Sequence, residues 1–210
     1  MARWQPDAPG RLAAAALDLF EERGYENTTV IEIAERAGLT KSTFFRYFPD
    51  KREVLFDRGT VTGVLVEGIA SAPPTAGPLD VVAEALDALG RTFFTAERRE
   101  YSGRRQAVLN ANTELREREA LKRIDLTASM IEALNRRGLP LLTARVAAQL
   151  GTLVWEIAYD RWIDTGNSED FGPLARQALA EVRAAGALRQ GPSSGHIGPD
   201  DDSIQTDSPG

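Results

Sequence analysis

The sequence predicts an all-α chain, and three observations carry that expectation. Apolar residues recur at helical spacing through almost the whole of it. No strand-like alternation of useful length appears anywhere. Helix boundaries are also written into side chains. Thr29 with Glu32, and Asp50 with Glu53, have the spacing of a capping box, in which one side chain serves a backbone N–H and the other reaches back. Gly38 suits the left-handed turn after a helix end.

The first helix is expected over 11–23, alanine-rich and amphipathic, with Leu12, Ala15, Ala16, Leu19 and Phe20 on its apolar side and Gly24 at its end. Val30, Ile33, Ala34 and Ala37 mark a second helix, and Thr40 can cap a third over 41–48. Phe44 and Phe48 share one face of that third helix, while Lys41, Ser42, Thr43, Arg46 and Tyr47 fall on others. An apolar back with a cationic, hydroxyl-bearing front is what a helix entering a nucleic-acid groove needs, because arginine and lysine pair with guanine edges and hydroxyls with bases or phosphates. An ordinary two-helix corner with a solvated polar side satisfies the same spacing.

A longer helix is expected from Asp50 through Val54, Leu55, Val61, Val64, Leu65 and Ile69. Gly59, Gly63 and Gly68 weaken it by about 1 kcal/mol each relative to alanine, which fits either close packing against a neighbour or pliancy. The proline-rich stretch 71–78 reads as a linker. Further helices are expected over 79–96, 98–112, 115–137, 140–165 and 169–188, with residues 114–119 a solvated charge run and Gly138 and Pro140 separating two of the helices. The 140–165 segment is apolar on nearly every face and therefore expected to be buried on more than one side.

Composition narrows the function. Of 210 residues, 42% are apolar, enough for a buried core. The absence of cysteine excludes disulfides and cysteine-based zinc sites and fits a reducing cytoplasm. His196 is the single histidine and sits in a Gly/Ser/Pro-rich tail, so histidine-based metal clusters and Ser-His triads are excluded too. No catalytic residue, metal site or cofactor is expected, and the chain reads as a non-enzyme. No apolar run approaches the roughly 20 residues of a membrane span, and the first residues lack a signal-peptide core, so no membrane partner is expected. The net charge of −6 is unusual for a nucleic-acid binder. The positive charge is local, however. Lys41, Arg46, Lys51 and Arg52 face only Asp50 within 41–52, whereas Asp200, Asp201, Asp202 and Asp207 gather in the tail.

Thr28, Thr29, Ile33, Ala34, Ala37, Gly38, Thr40, Thr43, Phe44, Phe45, Phe48, Pro49 and Lys51 together make the chain resemble the DNA-binding domain of TetR-family transcriptional regulators. Two positions depart from the family pattern. Phe45 stands where tyrosine is usual, which loses a hydroxyl-to-phosphate bond, and Tyr47 stands where histidine is common. A second, weaker likeness lies in 110–116, which resembles a junction in some actinobacterial members, including regulators of the mycofactocin type.

The resemblance implies a three-helix helix-turn-helix domain over 1–50, a helical ligand-binding and dimerisation domain over 51–188, and a disordered acidic tail over 189–210. It implies a cytoplasmic, homodimeric repressor that binds a palindromic operator in double-stranded DNA and is released by a small-molecule effector, lipophilic or acyl-CoA-like. An activator, or a regulator without a ligand, is the alternative. Lys41, Ser42, Thr43 and Arg46 are expected at base edges. Thr28, Thr29, Tyr47 and Lys51 are expected at phosphates, with Thr40 and Phe45 beside them. Candidate effector contacts are Phe93, Tyr101, Arg105, Gln106, Leu109, Asn110, Met130, Trp155 and Tyr159, although core packing explains each aromatic equally well. Dimerisation is expected through 140–165 and 169–188, the latter carrying Leu174 and Leu179 on its apolar side.

Overall fold

Side-chain caps at Thr29, Thr40 and Asn112 open three of the described helices. A computed structural model of the chain describes residues 8–56 and 59–187. The N-terminal arm through residue 7 and the acidic tail, with His196, lie outside the described residues. Among the described residues every regular element is helical. These are α1 (Ala8–Arg23), α2 (Val30–Arg36), α3 (Lys41–Tyr47), α4 (Thr60–Ser71), α5 (Pro78–Phe93), α6 (Ala96–Ala111), α7 (Thr113–Arg136), α8 (Leu141–Ile163) and α9 (Phe171–Ala187), with a 3₁₀ turn at Arg52–Leu55. None of the described helices is long and apolar enough to cross a membrane.

The helix expected to run unbroken from Asp50 is instead divided. Asp50 caps only the 3₁₀ turn, its Oδ1 accepting from the backbone N–H groups of Arg52 at 2.8 Å and Glu53 at 3.2 Å. The Glu53 carboxylate does not reach back as a capping box requires. It pairs with Arg118, and with Lys122 at 3.0 Å. Phe56 is extended, and Gly59 adopts φ +96°, a left-handed conformation open to glycine at little cost.

Two apolar clusters organise the chain. The larger joins α4, α5, α7, α8 and α9 around Leu65, Leu86, Met130, Trp162 and Phe171. Arg137, at the end of α7, gathers the carbonyls of Ile69, Ala70, Ala72 and Pro73 at 2.9–3.0 Å, satisfying the free end of α4. The smaller cluster contains the expected Leu12, Leu19, Phe20, Tyr25, Ile33, Phe44 and Phe48, with Val30 half-buried at its edge. It also takes in Val54, Leu55 and Phe56, and, from the middle of the sequence, Val108, Leu109 and Leu115. The α6–α7 corner is thus packed into the first helices of the chain.

The glycines of α4 differ in what surrounds them. A Cβ on Gly68 would lie 2.8 Å from the Ala85 Cα, so α4 and α5 touch backbone to backbone there. A Cβ on Gly63 would meet nothing within 4 Å. Gly68→Ala should therefore destabilise by about 1–3 kcal/mol through overpacking, more than the roughly 1 kcal/mol that helix propensity returns. Gly63→Ala should stabilise by up to about 1 kcal/mol. Urea unfolding of the two variants checks both, and a gain in stability for Gly68→Ala would refute the close contact.

Candidate nucleic-acid interface

The first helices hold α3 outward by a chain of polar contacts laid over the small core. Thr29 caps α2, with its hydroxyl at 3.3 Å from the Glu32 N–H and the Glu32 carboxylate at 2.8 Å from the Thr29 N–H. The α2–α3 turn passes through Gly38 at φ +65°, where the Leu39 N–H donates to the Ala34 carbonyl at 2.8 Å. Arg11 reaches across from α1 to the carbonyls of Ala37 and Gly38, fixing the turn from below. Thr40 then caps α3, accepting from the Thr43 N–H at 3.2 Å. Phe44 is fully buried and Phe48 nearly so, which sets the roll of the helix.

That roll leaves Lys41, Ser42, Phe45 and Arg46 exposed on one arc of α3, with Thr43 half-buried beside them and its hydroxyl 3.0 Å from that of Thr40. The Arg46 guanidinium stacks over the Tyr47 ring at 5.0 Å, and Tyr47 is half-buried against the small core.

The cations of this region divide into two groups. Arg23 pairs with Glu32 at 2.9 Å, Arg36 with Glu22 at 2.8 Å, and Arg52 with Asp50 at 2.8 Å. Hydrogen bonding to Arg36 holds the Glu22 carboxyl below its ordinary value. Arg11 and Lys51 serve backbone carbonyls. Among the described residues neither Lys41 nor Arg46 has a carboxylate partner, so the uncompensated positive charge is carried by α3.

Two residues expected at phosphates are placed otherwise. Thr28 is 2% exposed, with its hydroxyl 2.9 Å from the Gly24 carbonyl and 3.3 Å from that of Leu19, so this side chain closes the α1–α2 connection. The Lys51 ammonium donates to the carbonyls of Tyr25 at 2.7 Å and Thr28 at 3.0 Å and lies 3.9 Å from the centre of the Tyr25 ring. Two of its three donors are therefore spent inside the protein. Thr29 remains exposed, with its hydroxyl engaged in the capping box.

The nine effector candidates do not converge on one cavity. Leu109 is fully buried in the small cluster, where Tyr101 flanks it, and Met130 is fully buried in the large one. The Arg105 Nε donates to the Leu55 carbonyl at 2.7 Å, and its guanidinium stands over Phe56. Gln106 bridges Asn110 at 3.2 Å and Glu119 at 3.3 Å, and Asn110 is exposed. Phe93 is half-buried against the large cluster. Trp155 and Tyr159 join Phe94, Trp162 and Phe171 in an aromatic group, with the Tyr159 hydroxyl donating to the Ser102 carbonyl at 3.4 Å. Burial pushes the Tyr101 and Tyr159 phenols up, while the charge of Arg105 opposes it. An apolar groove of about 270 Å³ and a mixed one of about 540 Å³, which Arg145 and Gln149 help to line, run along α8, and none of the nine lines either of them.

The α6–α7 joint went unread in the sequence. Arg104 pairs with Asp18 at 2.7 Å and with Glu21, both on α1. Asn112 caps α7 and also reaches Glu26 at 3.2 Å. Residues 114–119, expected to be solvated, include Leu115 at 0% exposure and the Arg118 that holds Glu53. Burial raises the Glu53 carboxyl, but Arg118 and Lys122 outweigh it and leave the group below its ordinary value. An apolar leucine inside a charged run was the available signal.

Residues 12–57 match the family model described as bacterial regulatory proteins, tetR family. These residues are similar to the N-terminal domain of that family, and the match covers 46 of the 210 residues. Among curated proteins, the transcriptional regulator TcmR of Streptomyces glaucescens is 37% identical over 83 residues, which cover 39% of this chain and 37% of that protein. The chain thus spans little more than a third of that relative's length. FadR from Bacillus subtilis, solved in complex with stearoyl-CoA, shares the fold at TM-score 0.55 and 21% identity, over 82% of this chain and 96% of that one. NalD of Pseudomonas aeruginosa, the secondary repressor of an efflux pump, does so at TM-score 0.53 and 22% identity, over 84% and 94%. These relatives are regulators of transcription, which are not enzymes. The TetR-type stretch of this chain carries α2 and α3, with Lys41, Ser42, Phe45 and Arg46 exposed on α3.

Proposed function

We propose that this chain is a homodimeric transcriptional repressor that binds a palindromic operator and is released by a small-molecule effector. The observation that carries the DNA-binding part is the charge pattern of the TetR-type domain. Most neighbouring cations are satisfied within the protein, whereas Lys41 and Arg46 remain without a carboxylate on the outward arc of α3. Lys41, Ser42, Thr43 and Arg46 lie at base edges, and Thr29, Thr40 and Tyr47 hold the register at phosphates. The third donor of Lys51 is left for the same use. Residues 1–50 act as the reading head and 51–188 as the regulatory part. The head's own core runs on to Phe56 and borrows Leu109 and Leu115.

A two-fold pair of heads needs an interface between copies, since each head reads one half-site. The α9 residues expected there are spent inside the chain: Leu174 is 2% exposed and Leu179 is 7% exposed. A charge at Leu179 would therefore test the fold rather than the interface. The outward stripe of α8 supports the dimer instead. Leu142, Val146 and Leu153 are 74%, 51% and 42% exposed at successive spacings of four and seven residues, one face of a helix, and Leu121 and Ile124 on α7 are also more than half exposed.

Effector release works only if the ligand binds one arrangement of the heads better than another. α6 is placed to convey it. Ser102 touches Tyr159 of the aromatic group, and within the same turn Arg104 reaches α1 and Arg105 reaches Leu55. The fold shared with a stearoyl-CoA-bound regulator makes a long-chain acyl-CoA the first ligand to try.

Three outcomes are expected. In gel shifts with genomic fragments, Arg46→Ala should weaken binding by about 1–3 kcal/mol and relax specificity; equal weakening on every sequence would make Arg46 a phosphate contact. Sedimentation should show a dimer that Leu153→Glu converts to monomers of unchanged helicity, and a Leu153→Glu dimer would place the interface elsewhere. Stearoyl-CoA should raise the melting temperature and release bound DNA, and no effect on either would remove acyl-CoA as the effector.

A further inference from the structure

The exposed arc of α3 carries one side chain that charge and hydroxyl chemistry do not explain. Phe45 is 48% exposed, while the two other phenyl rings of the segment, Phe44 and Phe48, are 0% and 3% exposed. Its ring meets that of Phe44 edge-on at 5.5 Å, and the Lys41 ammonium lies 6.0 Å from its centre. At 100° per residue, Phe45 falls 40° from Lys41 and 60° from Ser42, inside the arc that faces outward. The ring is therefore supported at its base by a buried neighbour and presented beside the uncompensated cation of the helix.

A phenyl group has no donor or acceptor, so it bonds neither a phosphate nor the nitrogen and oxygen atoms of a base edge. The apolar group that the major groove offers is the C5-methyl of thymine. We propose that Phe45 reads thymine methyl groups, so that operator choice depends on a methyl contact as well as on the hydrogen bonds of Lys41 and Arg46. The proposal rests on the DNA-binding reading above and adds a specificity determinant to it. Lys41 and Phe45 are one turn apart, about 6 Å along the helix, which corresponds to roughly two base pairs. The contacted thymine therefore lies within about two base pairs of the base read by Lys41.

The test removes the methyl from the DNA instead of the side chain from the protein. Duplexes enriched by the full-length chain from a random-sequence library are resynthesised with deoxyuridine in place of each thymine in turn, which keeps every base pair and deletes one methyl. Wild-type protein should bind about four-fold more weakly at one thymine position of each half-site, the loss expected for one buried methyl. Phe45→Ala, whose folding is checked by circular dichroism, should bind the thymine and deoxyuridine duplexes equally. Wild-type affinity indifferent to every replacement overturns the proposal without requiring any variant to fold. A Phe45→Ala protein that keeps the preference overturns it as well. If no duplex is enriched at all, the DNA-binding reading fails first, and the two failures are distinct.

Discussion

The insertion of the α6–α7 corner into the core of the first helices is the contact on which the rest of the structure depends. Leu109 and Leu115 are fully buried among Leu12, Phe20, Phe44 and Leu55, so the TetR-type domain lacks a complete core without residues about 50 positions downstream. Polar contacts surround this apolar plug. Arg104 meets α1, Arg105 meets the Leu55 carbonyl, and Glu53 meets Arg118 and Lys122. Burying two leucines is worth several kcal/mol, while exposed ion pairs add little, so the leucines hold the joint and the charges orient it. α4 begins at a left-handed glycine, Gly59.

Charge in the reading head follows one rule. Cations needed for the fold are consumed by carboxylates or carbonyls, and those on the outward arc of α3 are left over. Lys51 illustrates the first class. Placed two residues after Pro49, it looks from the sequence like a phosphate anchor, yet its ammonium binds two carbonyls of the α1–α2 connection and lies against Tyr25. Arg11, a helix away in sequence, holds the turn that aims α3. The direction of α3 therefore depends on side chains that hold the fold from within.

In the regulatory part the helices differ in what they leave uncovered. α9 buries Phe171, Leu174, Ala175, Ala178 and Leu179, with Val182 half-buried, and turns Arg176, Gln177 and Arg183 outward, with Arg176 and Arg183 tied to Asp87 and Asp80. α8 is buried against α5, α7 and α9 yet keeps an apolar stripe in solvent. A helix that is apolar all round can bury only as many sides as it has neighbours. The side left over is the one available to another chain.

The sequence alone determined the helical class, the caps at Thr29 and Thr40, the turn at Gly38, and the burial of Phe44 and Phe48. It also placed Lys41, Ser42 and Arg46 on the opposite side of α3. Each of these follows from contacts within a few residues, where helical periodicity and capping chemistry act. Tertiary structure decided the rest. It turned Thr28 and Lys51 inward, split the helix expected from Asp50, and placed Leu109 and Arg105 at the joint between the reading head and the helices behind it. It also left α8 rather than α9 with the uncovered apolar stripe. Helical spacing shows that a side chain belongs to an apolar face or a polar one. Which surface that face meets is settled by residues far away in the chain, and no local pattern records them.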